Sequence, residues 1–179
     1  MKLLLLASGS GTLAQALIDA DFEIAAVLSD SNDAKVLERA EKAGITTKVI
    51  PFKKPRSQWD QELIDYVASM NPDLVVSVGF MRILSPEFVS RFKVINSHPA
   101  LLPNFPGAHA VRDALAAGVK VTGCTVHWVD AGVDTGPVIA QVEVPIESGD
   151  DEYALHERIK IAERKLIVDT IKSLGESWT

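Results

Sequence analysis

The sequence predicts an α/β domain with a mostly parallel central sheet, flanking helices and a long C-terminal helix. Two observations point to the sheet. Short apolar runs alternate with stretches of helical period through the first half, as repeated strand–helix–strand units do. The runs are apolar at nearly every position rather than at every second one, which is how strands buried on both faces read. A third observation gives the closing helix: Leu155, Ile159, Ala162 and Leu166 step at helical spacing after Asp150, Asp151 and Glu152, acids placed where a helix N-terminus favours them.

In order, Leu3–Ala7 is the first strand, and Ser8-Gly9-Ser10-Gly11-Thr12 turns it into a helix from about Leu13 to Ala20. Ile24–Leu28 is the second strand, Ala34–Ala43 a helix closed by Gly44, and Thr46–Ile50 the third strand. After Pro51 and Pro55, Trp59, Leu63, Ile64 and Val67 repeat at helical spacing. Leu74–Val78 and the short Val94–Asn96 complete the parallel series. A proline-rich loop and a helix near His109–Ala117 follow. Then come two strands, Gly123–Val129 and Val138–Val144, joined across Asp130–Gly136.

A chain of 179 residues suits one domain, expected over 1–179, with a substrate-binding half of about 1–97 and a catalytic half of about 98–179. Apolar residues at 47% and charged residues at 23% are the usage of a globular protein and argue against disorder. Eighteen bases against 24 acids leave −6, and residues 101–150 carry only Arg112 and Lys120 as bases. That balance argues against nucleic acid as a partner while allowing a small anionic ligand. The lone Cys124 excludes a disulfide framework, so a reducing, cytoplasmic setting is expected. The apolar run at Leu3–Ala7 is too short for a signal peptide, and no stretch approaches the length of a membrane span.

Three segments can carry chemistry. Gly9-Ser10-Gly11-Thr12 lets the backbone turn sharply at a helix N-terminus, a geometry suited to phosphate, although a tight turn without a ligand uses the same residues. Gly9 to Ala14 also fits the dinucleotide pattern G-x-G-x-x-A, with Asp30 near where a ribose-binding acid belongs. Asn96 and His98 share one side of a strand end, where an amide and an imidazole together can hold an oxyanion. Asp134-Thr135-Gly136-Pro137 places an acid in a rigid turn, and a carboxylate beside His98 would favour imidazolium. His109, His127 and Cys124 lack the spacing of a metal site, so no metal is expected. His127, inside a strand, reads as a packed core residue that could also help shape the site.

Taken together, Ser8-Gly9-Ser10-Gly11, Gly79 to Ser85, Asn96 to Pro103, Pro106-Gly107-Ala108-His109 and Asp134 to Ile139 resemble the folate-dependent formyltransferases, and among them the glycinamide ribonucleotide formyltransferases. The resemblance runs from about Leu3 to Leu174. It implies a single-domain Rossmann-like formyltransferase fold and transfer of a formyl group from 10-formyltetrahydrofolate to the amine of 5-phosphoribosylglycinamide. It implies Asn96, His98 and Asp134 as catalytic residues. Gly9, Ser10, Gly11, Thr12, Leu13, Pro99, Lys160 and Glu163 would hold the substrate, with the phosphate on backbone N–H groups of residues 11–13 and the ribose on Glu163. Arg56, Met81, Arg82, Ile83, Leu84, Asn96, Val129, Asp130 and Asp134 would hold the folate. Partners are then small molecules, and the assembly a monomer or homodimer. The family more often has asparagine at Leu13 and an apolar residue at Ser97. Longer members of the group that act on tRNA or hydrolyse the folate carry an added domain, for which this length leaves no room. A nicotinamide-dependent oxidoreductase built on Gly9–Ala14 and Asp30, a formyltetrahydrofolate hydrolase and a sensor of phosphorylated sugars remain as alternatives.

Overall fold

In the computed structural model, which describes residues 1–177, the chain runs β1 (Leu3–Leu6), α1 (Thr12–Asp19), β2 (Ile24–Ser29), α2 (Lys35–Lys42), β3 (Thr47–Val49), α3 (Arg56–Met70) and β4 (Leu74–Ser77). It continues through α4 (Pro86–Arg91), β5 (Val94–His98), α5 (Ala110–Ala116), β6 (Val121–Trp128), β7 (Val138–Pro145) and α6 (Glu152–Ser177). The expected domain boundary at Thr179 lies outside the described residues. The seven strands are hydrogen-bonded in the order β3-β2-β1-β4-β5-β6-β7. The chain divides into two compact units, Met1–Ile95 and Asn96 onward.

In the first unit β1 pairs in parallel with β2 on one side and β4 on the other, and β2 pairs in parallel with β3. Leu3 to Leu6 are fully buried, which accounts for an unbroken apolar strand. The helices cover the sheet with Leu13, Ala14 and Leu17 from α1, Val36, Leu37 and Ala40 from α2, and Trp59, Leu63, Ile64 and Val67 from α3. Trp59 is fully buried, and its indole N–H donates to the Ile50 carbonyl at 2.9 Å, so its polar atom is satisfied. Helix α4 is absent from the sequence expectation. It is short and buries only Phe88, too little for a period, although Ser85 caps it and Pro86 opens it.

In the second unit β6 and β7 form an antiparallel hairpin whose register shifts between Val126 and His127. Helix α6 packs Leu155 and Ile159 against Val111, Cys124 and Val144. Asp151 Oδ1 accepts from the Ala154 amide at 2.7 Å, and Arg158 grips Asp150 through two nitrogens at 2.6 and 2.9 Å, so the acids foreseen at this N-terminus cap and clamp it. Strand β5 runs two residues beyond its expected end, through Ser97 to His98.

Candidate active site

The end of β5 distributes its side chains by alternation. Ser97 donates its hydroxyl to Glu163 on α6 at 2.8 Å. Asn96 instead meets His127 on β6, and His98 meets residues of the loops after β5 and β6. Asn96 Nδ2 lies 3.2 Å from His127 Nε2, and His98 Nδ1 lies 3.4 Å from Asp134 Oδ2. His127 Nε2 is also 3.5 Å from Asp134 Oδ1, so one carboxylate faces both imidazoles. The Gly107 amide donates to Asp134 Oδ2 at 2.8 Å. His98 Nε2 donates to the Phe105 carbonyl at 2.8 Å, and His127 Nδ1 to the Trp128 carbonyl at 2.9 Å.

Two non-glycine residues here hold left-handed backbone, Phe105 at φ 53° and Asp134 at φ 54°. Such conformations cost about 1–3 kcal/mol each and concentrate at functional sites. Gly136 follows in the same turn, and a Cβ there would collide with the Trp128 carbonyl, the oxygen that anchors His127. His98 and His127 are buried, and Asn96 is half-buried.

Burial alone would raise the Asp134 carboxyl. The Gly107 amide and the two imidazoles that face the carboxylate outweigh it and hold the group below the ordinary carboxylate value. At neutral pH it is a carboxylate in a half-dry site. Glu163 behaves oppositely: burial pushes it up to about 7 against the pull of Ser97, Lys160 and Arg164. Burial, with Glu163 nearby, likewise pushes the Cys124 thiol up to about 12, so it is no nucleophile. Lys160 bonds to Glu157 at 2.7 Å. Asp130 accepts from Thr135 and Gly132 at 2.7 and 2.9 Å, stapling the loop after Val129, while Pro99 is half-buried just past His98.

In the first unit the glycine turn is pinned from behind. The Gly9 carbonyl accepts from the Val36 amide at 3.1 Å, the Ser10 carbonyl from Arg39 Nε at 2.8 Å, and Ser8 Oγ from the Met81 amide at 2.9 Å. Gly11 caps α1 at φ 71°, and a Cβ there would strike Val36. The helix has no side-chain cap and no acid in its first turn, which leaves the first-turn N–H groups of residues 12 and 13 without intrahelical partners. Leu13 itself is buried, so only its backbone could serve a ligand.

Of the residues expected to hold folate, Arg56 reaches the Ile83 carbonyl, and Met81 and Ile83 are exposed beside the buried Leu84. The Arg82 side chain is engaged elsewhere, which leaves its backbone beside Met81 and Ile83. Its Nε bonds Asp30 Oδ2 at 2.6 Å and its guanidinium lies 4.6 Å from the Phe52 ring centroid, so it is tied into its own unit. The same bond holds the acid that a nicotinamide reading requires for a ribose, and that alternative loses its support. Among the described residues no group of three or more His, Cys, Asp or Glu side chains is arranged to hold a metal ion, and no helix is long and apolar enough to cross a membrane.

The model of the formyl transferase family matches residues 1–171. The chain belongs to the formyl transferase family. As a formyl transferase it is an enzyme, and its relatives narrow the company it keeps. A phosphoribosylglycinamide formyltransferase of Mycobacterium tuberculosis is 49% identical over 97% of this chain and 85% of that protein. The enzyme of the same name from Escherichia coli is 42% identical over 93% and 83%. Among solved structures, glycinamide ribonucleotide transformylase 1 from Symbiobacterium toebii superposes with a TM-score of 0.96 at 38% identity, covering 99% of this formyl transferase and 88% of that chain. Phosphoribosylglycinamide formyltransferase from Streptococcus pneumoniae gives 0.93 at 38%, covering 97% and 98%.

Proposed function

We infer that this formyl transferase moves a formyl group from 10-formyltetrahydrofolate to the amine of 5-phosphoribosylglycinamide, a step of purine biosynthesis carried out in the cytoplasm. The observation that carries the reading is Asp134, whose carboxylate faces His98 and also His127, the imidazole that Asn96 contacts, all within one unit. The names of the similar enzymes support the choice of substrate.

Attack of the amine on the formyl carbon forms one C–N bond, places negative charge on the formyl oxygen, and ends when the bond to the donor nitrogen breaks. The charge is met by an Asn96 N–H and by His98. The 3.4 Å separation of His98 Nδ1 from Asp134 exceeds the roughly 2.7–2.9 Å of a charge-assisted bond, which leaves room for an N–H on Nδ1 to meet the oxyanion beside the carboxylate. Losing one such donor costs typically ~10²–10³ in rate. Asp134 also orients a water that carries the proton released by the attacking amine to the departing nitrogen. Gly11, Thr12 and Leu13 hold the phosphate through N–H groups, with Gly9 and Ser10 shaping the turn. Glu163 bonds the ribose hydroxyls, Lys160 adds charge, and Pro99 borders the substrate. Arg56, residues 81–84, Val129 and Asp130 receive the formyl donor.

The test is absorbance of the deformylated folate with and without the amine substrate. Turnover that requires the amine supports transfer, and turnover without it assigns hydrolysis instead. Asp134→Asn is expected to bind both substrates while kcat falls by ~10²–10³. A variant turning over at the wild-type rate overturns the catalytic assignment.

A further inference from the structure

The geometry points to His127 as the residue that orients Asn96: a neutral imidazole with its proton on Nδ1, whose Nε2 lone pair decides which end of the Asn96 amide faces the ring. The inference rests on the transfer reading only for its effect on rate. The tautomer follows from the two partners. Nδ1 lies 2.9 Å from the Trp128 carbonyl, which only accepts, so Nδ1 carries the hydrogen. Nε2 lies 3.2 Å from Asn96 Nδ2, and an amide nitrogen only donates, so Nε2 presents its lone pair. Reversing the Asn96 amide would set oxygen against that lone pair. With the nitrogen held, its second N–H is fixed in direction and is the donor the developing oxyanion needs.

The surroundings keep the ring in place. His127 is 1% exposed, so it turns only with its neighbours. Its anchor, the Trp128 carbonyl, occupies the space that Gly136 leaves by having no Cβ, and the Trp128 amide is bonded to the Pro137 carbonyl at 2.9 Å. The register shift between Val126 and His127 sits at the same place and re-aims the side chain. The glycine and proline of Asp134-Thr135-Gly136-Pro137 thereby support Asn96 through His127, while the aspartate of that turn faces His98. Asp134 Oδ1, at 3.5 Å from Nε2, is the competing partner: a proton on Nε2 would turn the ring's bond from Asn96 to the carboxylate.

Two measurements test this. Long-range ¹H–¹⁵N NMR of the intact chain without substrates should show His127 protonated at Nδ1 and bare at Nε2 near neutral pH. A proton on Nε2, with or without one on Nδ1, overturns the proposal and leaves the transfer reading untouched. Second, His127→Leu fills the space without an acceptor, whereas His127→Gln returns an amide oxygen close to the place of Nε2. His127→Leu is expected to lower kcat about 10- to 100-fold, with KM for both substrates within about threefold of wild type. His127→Gln is expected to recover about tenfold of that loss. A wild-type kcat in His127→Leu, or His127→Gln no better than His127→Leu, refutes the orienting role. Should the leucine variant fail to fold, the tautomer measured on the wild type still decides. Wild-type turnover with and without the amine decides the transfer reading separately.

Discussion

Glu163→Gln isolates a buried carboxyl whose protonation couples folding to pH. Glu163 is 4% exposed, and its Oε1 accepts a 2.8 Å hydrogen bond from the Ser97 hydroxyl. Burial raises it from an ordinary 4.5 to about 7, so the native chain keeps this proton where the unfolded chain has already released it. In that window the native state binds more protons, and stability falls as pH rises, levelling off above the native value. At ~1.36 kcal/mol for each tenfold change in proton affinity, the full window is worth about 3 kcal/mol. Glutamine keeps an oxygen for the Ser97 hydroxyl and removes the titration. Urea unfolding of both proteins across about pH 5 to 8 reads the difference, in which the other titrating groups largely cancel. The glutamine variant is expected to gain on the wild type by about 3 kcal/mol across that range. Parallel curves, or a wild type that gains as pH rises, would refute the reasoning.

The remaining predictions concern the two units separately. Gly136→Ala pushes a methyl group into the Trp128 carbonyl, so a loss of at least about 2 kcal/mol in urea unfolding and a drop in kcat are expected together, because the displaced oxygen anchors His127. Arg82→Ala leaves the buried Asp30 carboxylate, whose Oδ1 already lacks a hydrogen-bond partner, with no counter-charge. A cost of about 2–3 kcal/mol is expected, with much of it recovered when Asp30→Asn is added, as a double-mutant cycle would measure.

Much of this architecture could be read from residue order, and the exceptions have causes. Leu3 to Leu6 and Leu74 to Val76 announce strands because both their faces are buried, which writes the sheet into composition. The C-terminal helix announces itself because one side of it alone meets the core. Helix α4 does not, since a helix that buries a single Phe88 has no repeat to detect; its signal was the Ser85-Pro86 pair at its start. Strand β5 was cut short at Asn96 because Ser97 and His98 are polar, yet both are buried, each satisfied by a partner far along the chain. Asn96, His98 and Asp134 stood out as candidates because a polar pair closes an otherwise apolar strand and an acid sits in a rigid turn that could face it. The place of His127 did not stand out. Its direction depends on a shifted register in the hairpin, and a shift of one residue exchanges the faces of a strand. The Arg82–Asp30 bond was hidden for a similar reason: two exposed-looking charges 52 positions apart give no local sign of pairing.

Three consecutive residues at the tip of β5 report to two different environments. Because Ser97 leans on the interior carboxyl of Glu163 while its neighbours on either side present the amide and the imidazole, one stiff stretch of backbone joins a group that changes charge near neutrality to a pair that must stay still. One peptide bond in each direction separates the Ser97–Glu163 contact from Asn96 on one side and, on the other, from His98, whose carboxylate neighbour is held below its ordinary value.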